Sequence, residues 1–283
     1  MKKLVAGDIV RAARRTMAFL LIGCLSVSWS SSLLAADSGV KAVLSGKHRD
    51  AAHRHRDVYR HPVETLQFMG LEPGMTTVEI WPGGGWYTEV LAPYLREKGT
   101  YYAAHFPAQT EIKYYAKSLS RFKAKLKAAP DVYDGVKLAA FYPPSVSEPV
   151  VKGQADMVLT FRNVHNWMKG GYDKQAFTQF YQMLKPGGVL GVVEHRARPG
   201  TALKQMIKSG YVTEAHVIAL AQAAGFKLEA KSEVNANAKD TTKHPKGVWT
   251  LPPRLALGDK DREKYLAIGE SDRMTLKFRK PSK

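Results

Sequence analysis

MTTVEIWPGGGWYTEVLAPYL, residues Met75 to Leu95, contains a strand, a turn and a helix in succession. Thr76 to Ile80 is a short apolar run with β-branched residues, the pattern of a buried parallel strand. Pro82 and the glycines Gly83, Gly84 and Gly85 break it, and Trp86, Tyr87, Val90, Leu91 and Leu95 then recur at helical spacing. A glycine turn at the carboxyl end of a parallel strand lets the backbone approach a ligand with no Cβ between them. The helix that follows presents unpaired N–H groups. This stretch therefore predicts a nucleotide-type binding site. The dinucleotide pattern G-x-G-x-x-G is met only in part, because Thr88 stands where a small apolar residue belongs.

Outward from this unit, strands alternate with helices. Upstream, an amphipathic helical lead-in (48–72) runs through Asp50 to Phe68 and closes with a turn at Leu71 to Gly74. Downstream, Thr100 to Ala104 reads as a second strand ending at His105. A basic helix from Glu111 to Ala128 leads to a third strand at Val136 to Ala139. Asp156 to Phe161 reads as the fourth strand, and polar residues crowd its end at Arg162, Asn163, His165 and Asn166. A helix from Asp173 to Leu184 and a turn at Lys185 to Gly188 precede strand five, Val189 to Val193, which ends in Glu194, His195 and Arg196. Then come a helix from Thr213 to Ala224, a strand from Phe226, a proline-punctuated excursion from Val248 to Pro253, a short helix from Asp261 to Ile268 and a last strand from Met274 to Phe278. The alternation predicts an α/β, Rossmann-like doubly wound sheet, mostly parallel, and the helix-free approach to the last strand permits an antiparallel edge. Ligands bind such sheets where strand order reverses, here between strands one and four, so the glycine turn and residues 162–167 are expected to face each other.

At 283 residues and 45% hydrophobic the chain suits one large domain with an ample core, placed at 37–283. Residues 1–36 read as a secretory signal: a basic start, an apolar core from Met17 to about Val27, and Leu34-Ala35-Ala36 ahead of Asp37. The mature chain is expected to be periplasmic or otherwise exported. Leu21 to Cys24 also resembles a lipobox, which would tether the protein through Cys24, and Arg14-Arg15 is a twin-arginine pair. The apolar run falls short of the ~20 residues of a transmembrane span. Cys24 is the only cysteine, so a chain cut after Ala36 has no disulfide, thiolate metal site or cysteine nucleophile.

Of the formal charge of +18, the first 36 residues account for little; the rest carries 38 basic against 24 acidic residues. The densest run, Lys113, Lys117, Arg121, Lys123, Lys125 and Lys127, reads as a solvated helix face, and no nucleic-acid-binding signature accompanies it. His48, His53, His55 and His61 lie in the arginine-rich lead-in without carboxylates at ligand spacing, so no metal site is expected there.

Glu79 with Gly83 and Gly85 looks like the first motif of class I S-adenosylmethionine methyltransferases, with Trp81 standing at its first glycine. Together with Phe161 to Trp167, Leu184 to Gly188, Glu194 to Arg196 and Gly247 to Pro253, it makes nearly all of the chain after the signal resemble a family of exported predicted bacterial methyltransferases in that superfamily. The resemblance implies S-adenosylmethionine as cofactor. Glu79 and Gly83 to Gly85 would hold its methionine and sugar portions, His105 would stand at the ribose position normally held by an acid, and Arg162 and Asn163 would border the sulfonium.

Methyl transfer needs an in-line nucleophile and, where that nucleophile carries a proton, a base to remove it. His165, Glu194 and His195 are the titratable groups at adjacent strand ends. His165 is the preferred base and Glu194 a group to orient an imidazole or bind substrate, while Trp86, Trp167 and Trp249 are candidates for an aromatic substrate wall. Two functions remain open: a methyltransferase for a small or envelope-associated acceptor, and a non-catalytic or differently reacting small-ligand-binding protein on the same fold.

Overall fold

A computed structural model describes residues 39–146 and 148–282. The signal segment, Cys24 and the expected cleavage after Ala36 lie outside the described residues.

A short helix at 39–44, α1, precedes three more helices, α2 (Ala51–Arg54), α3 (Asp57–Arg60) and α4 (Pro62–Met69). The lead-in is thus broken where one helix was expected. His61 takes the left-handed conformation (φ 40°) and Pro62 starts α4, because proline disfavours helical backbone in the residue before it.

The sheet follows: β1 (Thr76–Ile80), α5 (Thr88–Leu95), β2 (Thr100–His105), α6 (Lys113–Ala128), α7 (Pro130–Tyr133), β3 (Val136–Ala140) and β4 (Ala155–Phe161). After β4 come α8 (Val164–Gly170), α9 (Asp173–Met183), β5 (Leu184–His195), α10 (Leu203–Ser209), α11 (Glu214–Ala223), β6 (Lys227–Ser232), α12 (Arg262–Ile268) and β7 (Arg273–Arg279). Strand order is β3-β2-β1-β4-β5-β7-β6. The first five strands are parallel, and β7 runs antiparallel to both β5 and β6. The reversed strand therefore inserts one place in from the edge. Order reverses between β1 and β4, as expected.

Both faces of the sheet are covered. Val78 and Ile80 of β1 join Val158, Leu190 and Leu276 beneath Phe177 and Phe180 of α9. Met157, Leu159 and Val193 face Leu66 and Met69 of α4 and Leu91 and Leu95 of α5. Adjacent residues on β4 and β5 point to opposite layers that are both apolar, which is why these strands read as unbroken hydrophobic runs. Gly191 lies under α4: a Cβ there would stand 2.6 Å from Met69 Sδ. Lys185 to Gly188 is not the turn expected. Leu184 already pairs with Ala155, and the glycines form a register shift inside β5. No helix of the described residues is long and apolar enough to cross a membrane.

Candidate active site

The end of β1 sets the geometry. Trp81 follows it in the left-handed region (φ 51°), the conformation that the motif's first glycine adopts without cost. For a bulky residue this backbone costs roughly 1–2 kcal/mol. Burial of the indole opposes that cost: Nε1 donates to the Phe141 carbonyl at 2.8 Å, and the ring packs 4.6 Å from Phe106 and 5.8 Å from both Tyr115 and Trp167. The glycine turn then crosses the carboxyl end of the sheet. A Cβ on Gly83 or Gly84 would meet nothing within 4 Å, whereas one on Gly85 would lie 3.1 Å from Phe122. Open space thus fronts the first two glycines.

Glu79 is buried, and its Oε2 accepts from the hydroxyls of Tyr101 and Thr88. Burial pushes its carboxyl up to about 7 in spite of those bonds. Oε1 has no hydrogen-bond partner among the described residues, and Glu79 lines the cavity beyond the turn.

His105 occupies the strand end where an acid was missed. Its Nδ1 accepts from the Phe106 N–H at 2.8 Å, so Nε2 carries the proton and donates to the Gly83 carbonyl at 3.2 Å. Burial lowers the imidazole to about 4. His105 braces the glycine turn from behind.

The loop after β4 faces the turn. Arg162, with φ 62°, lines the cavity, and Asn163 Nδ2 donates to the Ile80 carbonyl at 2.9 Å, locking the ends of β1 and β4 together. His165 begins α8. Its backbone N–H and its Nδ1 both donate to Glu194, at 3.3 and 3.1 Å, while the His195 backbone N–H donates to the same carboxylate at 2.8 Å. Nδ1–H toward the carboxylate leaves Nε2 of His165 as an acceptor. The His195 ring lies 5.4 Å from that of His165 and bonds Ser271 Oγ through Nδ1 at 2.5 Å. Burial, His165 and the surrounding arginines hold the His195 imidazole well below its ordinary range.

Two cavities meet at the turn. One, of about 330 Å³, is walled by Glu79, Gly84, Arg162, His165, His195 and Trp249; the other, of about 590 Å³, by Phe106, Tyr114, Tyr115, Tyr142 and Tyr172. Trp81, Gly83 and Asn163 border both. Of the three tryptophans proposed as a wall, Trp86 and Trp249 line the smaller cavity and Trp167 is wholly buried core.

The fold adds residues that no motif announced. Arg56 and Arg60 arrive from α3 and the turn before it, and Glu270 and Ser271 from the turn before β7. The arginine-rich lead-in was visible as composition, but nothing in its spacing tied it to residues more than two hundred positions away. The ligating atoms of His165, Glu194 and His195 lie within 4.8 Å of one another, close enough to hold a metal ion. Glu194 already accepts three N–H groups, and Arg60, Arg162 and Arg273 act on the neighbouring imidazole, so the local field opposes a divalent cation.

No family model and no curated protein matches the sequence. The fold is that of class I methyltransferases. A SAM-dependent methyltransferase from Aquifex aeolicus superposes with a TM-score of 0.53 at 16% identity, over 86% of this chain and 98% of that one. The [4+2]-cyclase SpnF gives 0.52 at 16%, over 79% and 81%. Phosphoethanolamine N-methyltransferase 2 of Haemonchus contortus, in complex with S-adenosyl-L-methionine, gives 0.52 at 14%, over 79% of this chain and 53% of that one.

Proposed function

We propose that the protein is an S-adenosylmethionine-dependent methyltransferase for a small or envelope-associated acceptor. The observation that carries this reading is the shared cavity: the open face of Gly83 and Gly84 and the Glu194-oriented imidazole of His165 border one space.

The residues present fit an adenosyl group. Phe106, Tyr114, Tyr115 and Tyr142 offer aromatic faces for a purine, Gly83 and Gly84 a backbone approach, and Glu79 Oε1 an acceptor for an amine. A bound cofactor would supply an electrophilic methyl on sulfur. The rest falls to this chain: Arg162 and Asn163 would border the sulfonium, His165 Nε2 would take the proton of the acceptor, Glu194 would steady the imidazolium so formed, and Trp86 and Trp249 wall the cavity.

A second reading, a small-ligand-binding protein or a differently reacting enzyme, is favoured by His105. It stands where an acid is expected and both its ring nitrogens are spent on protein partners, so it offers the ribose hydroxyls neither a carboxylate nor a free nitrogen. That SpnF, a [4+2]-cyclase, shares the fold shows that the architecture alone does not select the reaction. Calorimetry with S-adenosylmethionine and S-adenosylhomocysteine tests the first reading: no binding at millimolar ligand removes the cofactor and leaves the second, and binding without methyl transfer to any acceptor also leaves the second.

We further propose export, with a mature N-terminus at Asp37 and lipidation of Cys24 as the alternative. N-terminal sequencing of envelope-fraction protein tests it, and recovery of an uncut cytoplasmic chain overturns it.

A further inference from the structure

The smaller cavity has an unbalanced charge. Arg56, Arg60, Arg162 and Arg273 all act electrostatically on Glu270. Glu270 pairs directly with three of them: Arg56 Nε at 2.5 Å, Arg60 Nε at 3.3 Å and Arg273 at 3.2 Å. Arg162 is left over. Its side chain makes no hydrogen bond or ion pair with any described residue, although it faces the cavity from a left-handed backbone position. Arg60, 1% exposed and 4.5 Å from the Trp86 ring, lines the same space, and both its terminal nitrogens lack hydrogen-bond partners among the described residues, as does Arg56 Nη2.

Buried cations without partners are costly, and four guanidinium groups around one carboxylate repel one another. The other nearby acids do not balance them. Burial raises the Glu79 carboxyl to about 7, and the Glu194 carboxylate is turned toward His165 and His195 and forms no ion pair with these arginines among the described residues. The positive lining also continues outward. Arg254 and Trp249 border both this cavity and a neighbouring groove that carries Lys208, Lys243 and Lys246.

We propose that the acceptor carries an oxyanion of phosphate type, bound by Arg162 with Arg56 and Arg60 behind it, on the same cavity wall as His165. A phosphate dianion offsets more of this surplus than the single charge of a carboxylate does. An arginine fork also pairs with two phosphate oxygens at once. The inference rests on the acceptor-site reading of this cavity, and it narrows the substrate to a phosphorylated or phosphonate-bearing small molecule.

The test is calorimetric titration of the full chain with inorganic phosphate, with acetate at equal ionic strength as control, each with and without saturating S-adenosylhomocysteine. The expected result is phosphate binding that S-adenosylhomocysteine leaves intact and that Arg162→Gln weakens about 10- to 100-fold, the loss of one charge-assisted contact. Arg254→Gln, at an exposed rim position, should weaken it only a few-fold, and circular dichroism confirms that both variants fold. Absence of phosphate binding, equal binding of acetate, or full affinity in Arg162→Gln each overturns the proposal. So does competition between phosphate and S-adenosylhomocysteine, which would assign Arg162 to the cofactor's carboxylate. Phosphate binding at Arg162 without any binding of S-adenosylhomocysteine would sink the methyltransferase reading and leave the oxyanion site standing.

Discussion

Glu194 holds His165 by two donors at once, the backbone N–H and the imidazole Nδ1. A ring so fixed presents Nε2 to the cavity as an acceptor, which is what a general base requires. His165→Ala should lower single-turnover methyl transfer by roughly 10²- to 10⁴-fold while S-adenosylhomocysteine affinity stays within a few-fold. Glu194→Gln should reduce turnover by releasing the tautomer, and His195→Ala should cost less, because its Nδ1 is engaged with Ser271. Unchanged turnover in His165→Ala, with collapse in His195→Ala, would move the base to β5.

Gly84 is the cleanest probe of the turn. Its backbone is not left-handed and a Cβ there meets nothing within 4 Å, so Gly84→Val should fold normally yet project a branched side chain into the space that fronts the loop. Binding of S-adenosylhomocysteine should be lost, with thermal stability close to wild type. Gly85→Val makes the contrast: φ is 79° and Phe122 stands 3.1 Å from the added Cβ, so it should destabilise the fold itself. Full ligand affinity in a folded Gly84→Val protein would place the ligand elsewhere.

Glu79 should leave a pH signature in stability. Its folded value of about 7 lies above the ~4.3 of an unfolded glutamate, so between these the native state holds a proton that the unfolded chain has released. Stability relative to a Glu79→Gln variant should therefore be highest below pH 4, fall by about 3 kcal/mol as pH rises through 7, and level off above. Urea denaturation of both proteins at pH 5 and pH 8 measures this. Parallel profiles would count against a buried, uncompensated carboxyl.

Glu270 carries the opposite sign. Although burial opposes ionisation, Arg60, Arg273, Arg162 and Arg56 hold its carboxyl down to about 2. Its stabilising contribution is complete above the unfolded value and is lost as pH falls from ~4.3 toward 2. Glu270→Ala leaves buried guanidinium groups unpaired and should destabilise the protein by about 3–5 kcal/mol at neutral pH. A loss below ~1 kcal/mol, the range of an exposed ion pair, would mean that water reaches the cluster.

His105 should remain neutral well into acid. With Nδ1 accepting from Phe106 and burial lowering it to about 4, its ring should show the Nε2–H tautomer in nitrogen-15 NMR at pH 5.5. Protonation near pH 6.5, as in an exposed histidine, would contradict the bracing role assigned to it.

The doubly wound architecture was legible in the sequence because each decisive signal is local. Apolar runs the length of a strand, a glycine turn after β1 and amphipathic helices between strands need no knowledge of distant residues. Even the crevice between β1 and β4 follows once the strand order usual for a doubly wound sheet is applied to that alternation. The register shift at Lys185 to Gly188 escaped such reading, since glycines in a bulge and glycines in a turn look alike until the pairing of Leu184 with Ala155 is known. The site divides in the same way. His165, Glu194 and the glycines announced themselves at strand ends, but the tertiary structure alone determined that Glu194 grips His165, that His105 spends both nitrogens on its own neighbours, and that Trp81 lies fixed among aromatic rings. Arg60 and Glu270, 210 positions apart, share a cavity because α3 and the turn before β7 reach the same end of the sheet. Coulomb forces act over ångströms of space, and local sequence patterns do not encode which distant charges the fold will bring within that reach.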